Sequence, residues 1–333
     1  FLFLVNFQDH VQVKDLTQLR IQVETGGETI AFPVQGTIDV PCATGAILPF
    51  NLQLETTNVK SATVQPFTIL RGEAQNRYVF TTVRGVAPEM NFAGSSRLSK
   101  LKNARVRTVN GLKNVRPESD APFSFVADGV HFLVLTEDMA LNSVKIDEKL
   151  IVSDALILND SGKLQLISRK AENRVHVFPA GEKPLLATGA ILVKEKAQYD
   201  GFDTYRVTFE EQKPEVEIAE IRTGKYTLQL KGDCSKLNDV FVEVDYVGDR
   251  ALAFIGGELI TDHLYQERTW ELSLKPFQQR LKSQPMVLLI HPMESTAPYL
   301  KDLSRVPSFE SGKFLKVNGF KVVPEYKATL TIR

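Results

Sequence analysis

Asp239-Val-Phe-Val-Glu-Val-Asp-Tyr-Val-Gly-Asp-Arg-Ala-Leu-Ala-Phe-Ile-Gly-Gly-Glu-Leu-Ile-Thr-Asp262 decides the fold class. Val240, Val242, Val244 and Tyr246 alternate with Phe241, Glu243 and Asp245. Side chains of a strand point to opposite faces in turn, so a period of two marks a strand with one buried face. Gly248-Asp249 and Gly256-Gly257 follow. Both tolerate positive φ and therefore read as tight turns.

The same grammar extends outward in both directions. Leu19, Ile21 and Val23, then Leu52 and Leu54, then Tyr226, Leu228 and Leu230, then Trp270, Leu272 and Leu274 all alternate with polar neighbours. Turn dipeptides recur at Gly26-Gly27, Asn110-Gly111, Asp128-Gly129 and Asn318-Gly319. Short strands at this spacing predict an all-β protein of antiparallel β-sandwiches, not a parallel βαβ sheet. Helical pattern is scarce. One helix is expected from an N-cap at Thr136 to about Lys145, with Glu137 and Asp138 in its first turn. Another is expected from Pro276 to about Lys282, since proline suits a first helical position.

A chain of 333 residues accommodates two or three domains. Pro117–Pro122 and Ala180–Pro184 are the strongest breaks. They divide the chain into a β-sandwich domain over 1–117, a β-rich middle segment with one short helix over 118–185, and a jelly-roll domain over 186–333. Lys plus Arg equals Asp plus Glu at 40 each, so the formal net charge is zero. That argues against nucleic acid as a partner, which needs a basic surface, and against a polybasic membrane anchor. Apolar runs such as Phe1–Val5 and Met286–Ile290 are far shorter than the roughly 18 residues of a membrane span. Phe1–Val5 lacks the basic start and cleavage region of a signal peptide. The sequence opens on a strand without an initiator Met and reads as a mature or truncated piece of a longer protein. Cys42 and Cys234 are too few for a disulfide framework and read as two separate buried thiols.

Catalytic motifs are missing. There is no Gly-rich phosphate loop, no HExxH and no GxSxG, and the histidines at 10, 131, 176, 263 and 291 are scattered. His131 and His176 lie inside apolar strands, as structural histidines do. The carboxylate pairs Glu210-Glu211 and Asp245/Asp249 read as a solvated strand end and a turn, so no catalytic residue is assigned. No residue set suggests a metal, no dense Asp/Asn loop suggests calcium, and no cofactor is expected. From Met90 to Pro117 the basic residues Arg97, Lys100, Lys102, Arg105, Arg107, Lys113 and Arg116 occur without an acidic one. A solvated hairpin around Asn110-Gly111, with its counter-charges elsewhere, is the plainer reading; an anion or partner surface is the other. Asp262, His263, Tyr265 and the single tryptophan Trp270 form the candidate carbohydrate or interdomain contact. A flat Trp270 ring would stack on a sugar, yet Trp270 also begins the alternating core set with Leu272 and Leu274.

The segment Asp239–Asp262, followed by His263-Leu-Tyr265 and Trp270-Glu-Leu-Ser-Leu-Lys-Pro-Phe277, resembles the C-terminal jelly-roll region of bacterial β-galactosidase-like proteins of glycoside hydrolase family 35. Phe1–His10, Ala46–Leu52, Leu133–Leu141 and Val152–Ala155 resemble the β-rich regions that follow the catalytic barrel in the same family, in the same order. The resemblance implies a galactose-binding-like jelly roll at the C-terminal end and a (β/α)₈ barrel elsewhere in the parent chain as the partner. That barrel carries the family's two catalytic glutamates and needs about 250 residues of alternating strands and helices, a pattern absent from this sequence. The implied role is therefore a non-catalytic accessory half that packs against the barrel, with a stand-alone carbohydrate-binding module for galactoside-containing glycans as the alternative. It also implies a periplasmic or extracellular location. Gly256-Gly257 departs from the Asn-Gly or Asp-Gly common at that turn in the family.

Overall fold

The computed structural model describes residues 1–9, 11, 13–72, 75–160, 163–181, 185–309 and 311–332. His10 and part of the Ala180–Pro184 break lie outside the described residues. The protein is all-β, and its strands pair almost entirely antiparallel. The chain forms two compact units, each assembled from separated segments. One comprises Phe1–Asp154, Arg174–Pro184 and Val193–Arg206; the other comprises Ala155–Asn173, Leu185–Leu192 and Val207–Arg333.

The first unit contains a sandwich of two five-stranded sheets. One sheet runs Leu98–Lys102, Phe123–Ala127, Val130–Leu135, Arg77–Thr81, Gln65–Leu70; the other runs Ala104–Val109, Leu112–Pro117, Met90–Ala93, Thr57–Ala62, Phe50–Leu54. Their inner faces meet in a core of Phe80, Phe92, Phe123, Phe125 and Phe132. Phe92 stands edge-on to Phe125 and Phe132 at 5.6 and 5.5 Å, the arrangement that ring quadrupoles favour. Asn110-Gly111 and Asp128-Gly129 close their hairpins with positive φ at both turn residues. Among the described strand pairs, one departs from the antiparallel expectation: Arg77–Thr81 runs parallel to Val130–Leu135. The intervening chain crosses through the opposite sheet, which supplies the long connection that parallel pairing requires.

The outer face of the first sheet is partly covered. Leu70, Val79, Leu133 and Leu135 pack against Leu150, Val152, Phe178 and Phe202. The expected helix forms here, with Thr136 Oγ1 accepting from the Met139 N–H at 3.2 Å. It spans only Glu137–Leu141, because Ser143–Ile146 pairs with Lys149–Ser153. Strand pairing of Val144 and Ile146 thus ends the helix before Lys145. At the chain start, three two-stranded ribbons surround a small core of Ile30, Phe32, Ile38, Val40, Ala46 and Leu48.

The second unit also contains two large sheets. One sheet runs Leu156–Asp160, Lys163–Ser168, Lys316–Ile332, Asp239–Val247, Trp270–Ser273, with Leu185–Thr188 also paired to Lys316–Ile332. The other runs Glu215–Arg222, Lys225–Lys231, Met286–Ile290, Arg250–Ile255, Glu258–Leu264. The Val240, Val242, Val244, Tyr246 set is buried, as is Tyr226, Leu228, Leu230. Tyr226 meets Phe320 of the opposite sheet at 4.9 Å. Gly256-Gly257 closes a hairpin with positive φ at both residues. Gly248-Asp249 instead carries the chain from one sheet to the other, since Asp239–Val247 and Arg250–Ile255 have different partners. Asn318-Gly319 is not a hairpin turn but a bulge inside Lys316–Ile332, where the register with Asp245 and Tyr246 shifts. The helix expected at Pro276 appears as a 3₁₀ turn, Lys275–Phe277, continued by Gln278–Ser283.

Candidate functional site

Three of the four candidate contact residues converge in the second unit. His263 lies on Glu258–Leu264 opposite Ala251, and its ring faces the other sheet. It stacks on Trp270 with centroids 6.1 Å apart and planes at 16°. Tyr246 Oη sits 2.8 Å from His263 Nδ1, and the Tyr246 ring meets Tyr265 at 5.6 Å. Trp270 is 3% exposed and Tyr246 2%, so this cluster belongs to the sandwich interior. Burial lowers the His263 pKa against the opposing pull of Asp262. Burial also pushes the Tyr246 hydroxyl well above the usual phenol range, with Asp249 and Tyr265 adding to the effect. Asp262 is exposed, while its neighbour His263 turns inward, as strand alternation dictates. Trp270 therefore presents no free face for stacking on a ligand.

Tyr265 has a second role. It lines a cavity of about 460 Å³ with Asp249, Glu267, Tyr299, Asp302 and Leu303. Tyr299 Oη donates to Asp249 Oδ1 at 2.6 Å, and the Tyr265 N–H donates to the Asp249 carbonyl at 2.9 Å. Burial, reinforced by the bond to Asp249, pushes the Tyr299 pKa up to about 12. Glu267 accepts from the Ser304 N–H and Oγ at 2.9 and 2.7 Å and from the Arg305 N–H at 3.0 Å. These bonds tie the loop that carries Asp302 and Leu303 to the rim. The cavity joins two phenol rings to three carboxylates, a lining suited to hydrogen-bonding hydroxyl groups. Its members Tyr299 and Asp302 carry no sequence pattern that distinguishes them, because they reach the site through a 3₁₀ turn, Pro298–Asp302.

The other residues singled out in the sequence are dispersed. Glu210 pairs with Lys236 at 2.9 Å, and Asp245 accepts from Asn318 Nδ2 at 3.0 Å. His176 is buried with Nδ1 3.1 Å from Thr204 Oγ1, as a structural histidine should be. His131 is only half-buried and borders an open groove instead of the core. Both cysteines are free, and Cys234 is buried, but Cys42 is exposed because it sits in the turn before Thr44–Leu48. Among the described residues, no three of His, Cys, Asp and Glu cluster as metal ligands, and no helix is long and apolar enough to cross a membrane.

The basic stretch resolves into separate roles. Arg116 pairs with Glu89, which is 1% exposed and also accepts from the Val34 N–H at 2.8 Å and from Asn91 and Asn114 Nδ2 at 3.0 Å each. This buried carboxylate, just before the basic stretch begins, is the counter-charge of Arg116. Lys113 Nζ donates to the Ser96 carbonyl. Arg105 and Arg107 are exposed and alternate with the inward-facing Val106. No protein-family model and no curated protein matches this sequence.

Proposed function

We propose that this chain is the non-catalytic accessory half of a β-galactosidase-like glycoside hydrolase and packs against a (β/α)₈ barrel of the same parent protein. The jelly-roll motifs quoted above supply the family resemblance. The observation that carries the packing role is the strand Leu2–Asn6. Leu2 and Leu4 pack into the core around Phe32 and Leu48. Their neighbours Phe1, Phe3, Val5 and Phe7 are 54%, 68%, 71% and 60% exposed. Ile47, the cross-strand partner of Phe3, is a further exposed apolar residue. Scattered exposed apolar residues are ordinary, but a contiguous row on one strand marks a protein-contact surface. A strand apolar on both faces is the pattern of one covered on both sides. Each such side chain contributes about 1.5–3 kcal/mol when covered.

The test replaces Phe3 and Val5 by serine in the full-length parent protein. Both side chains are exposed here, so this region alone should melt unchanged, while the barrel loses stability and aryl-galactoside hydrolysis at elevated temperature. An unchanged parent would refute the packing role. Galactoside hydrolysis by this chain alone, abolished by changing one of its own carboxylates, would refute its non-catalytic character.

A second reading rests on the cavity beside Tyr265. Its phenol rings and carboxylates fit a galactoside-containing glycan, which would make the second unit a carbohydrate-binding module. Trp270 plays no direct part in it. Calorimetric binding of lactose that is lost in Tyr299→Ala would favour this reading.

A further inference from the structure

We infer that the first unit carries a binding groove for a sulfated or carboxylated saccharide, formed by Arg77, Lys100, Lys102 and His131. The four residues come from three strands of one sheet and share its outer face. Arg77 on Arg77–Thr81 stands directly beside His131 on Val130–Leu135. Lys100 and Lys102 come from the edge strand Leu98–Lys102. Leu70, Val79, Leu133 and Leu135 fill the covered part of that face. The cationic residues occupy the part left open, where a groove of about 440 Å³ remains.

The charges in this groove are poorly balanced from within the protein. Among the described residues, Arg77 and Lys100 have no ion-pair partner, and Lys102 meets only Asp200, at 3.9 Å between two largely exposed side chains. Like charges on neighbouring strands repel one another. His131 registers that repulsion, because burial and then Lys100 and Arg77 hold its pKa below the usual imidazole value. An arrangement that costs stability without a ligand is relieved by an oxyanion, which accepts from guanidinium and ammonium groups in charge-assisted hydrogen bonds.

The size and walls of the groove define the rest of the ligand. A cavity of this volume falls in the range of small-molecule sites, and Asp200 and Gly201 close one side of it. Ser124 contributes a hydroxyl, and Val126 and Pro179 contribute small apolar walls. Phe125, Phe132 and Phe178 are all buried, so no ring is free to stack on a nucleobase. The combination fits a sugar with sulfate or carboxylate substituents better than a nucleic acid.

The test is a calorimetric titration of the 333-residue chain with a trisulfated heparin disaccharide, lactose and sodium sulfate in parallel. The disaccharide should bind with a Kd below about 1 mM, weaken as salt rises, and shift the His131 ring resonances. Lactose should not bind at this groove. Lys100→Ala with Lys102→Ala, both at exposed side chains, should lower the affinity at least about tenfold, or roughly 1.4 kcal/mol, with a melting temperature unchanged or slightly raised by the relieved repulsion. Arg105→Ala with Arg107→Ala, on the other sheet, should leave it unchanged. Absence of disaccharide binding, binding unaltered by the lysine changes, or inorganic sulfate binding as tightly as the disaccharide would each overturn the inference.

Discussion

Replacing Arg116 by alanine isolates the energetics of Glu89, a buried carboxylate in the first sandwich. Among the described residues, Glu89 accepts four hydrogen bonds, and Arg116 supplies the only cationic donor. The variant keeps the Val34, Asn91 and Asn114 contacts but removes the counter-charge. Losing one partner of a fully buried pair costs about 3–5 kcal/mol. Arg116 is one-third exposed, and water reaches its side of the pair. The loss of a hydrogen bond to a charged group, about 1.5–3 kcal/mol, is therefore the better guide. A destabilisation of about 2 kcal/mol should lower the melting temperature of the first unit by about 4–8 °C. Arg105 provides the control, because it lies directly opposite Arg116, is exposed and has no described partner. Arg105→Ala should be neutral within about 0.5 kcal/mol, or slightly stabilising through relief of like-charge repulsion. Differential scanning calorimetry of both variants measures the contrast. Equal shifts for the two would refute the assignment of Glu89 as the counter-charge of Arg116.

Two further outcomes follow from burial. His131, His176 and His263 each have a pKa lowered below 6.5, with burial the largest cause. A base with a depressed folded-state pKa binds fewer protons folded than unfolded, so its stability is complete above pH 6.5 and declines as pH falls through the folded value. Thermal unfolding between pH 7.5 and 5 should show a falling midpoint; a flat or rising profile would contradict the burial of these rings. Trp270→Ala removes a side chain that is 3% exposed and stacked on His263. It should cost about 3–5 kcal/mol in urea unfolding, whereas a cost below about 0.5 kcal/mol would place Trp270 on the surface.

Alternation made the strands readable, because one buried face writes itself into every second residue. Val240 to Tyr246 and Tyr226 to Leu230 are buried as that rule requires. Turn chemistry was readable where both residues take positive φ, as at Asn110-Gly111, Asp128-Gly129 and Gly256-Gly257. It misled at Asn318-Gly319, where the pair forms a bulge inside a long strand and neither residue takes positive φ. Partner choice was hidden: nothing local to Gly248-Asp249 reveals that the chain changes sheets there. The candidate site shows the same limit. His263, Tyr265 and Trp270 are near in sequence and legible as one group, but Tyr246 and Tyr299 join them only through sheet packing and a distant turn. The basic groove likewise draws Arg77 and His131 from strands outside the basic stretch.

The accessory role is tested most directly by reading the coding region upstream of Phe1. It should encode a segment of about 250 residues with alternating strands and helices and two glutamates at strand ends. A start codon or an export signal immediately before Phe1 would contradict the packing role and leave glycan binding by this chain alone as the function to pursue.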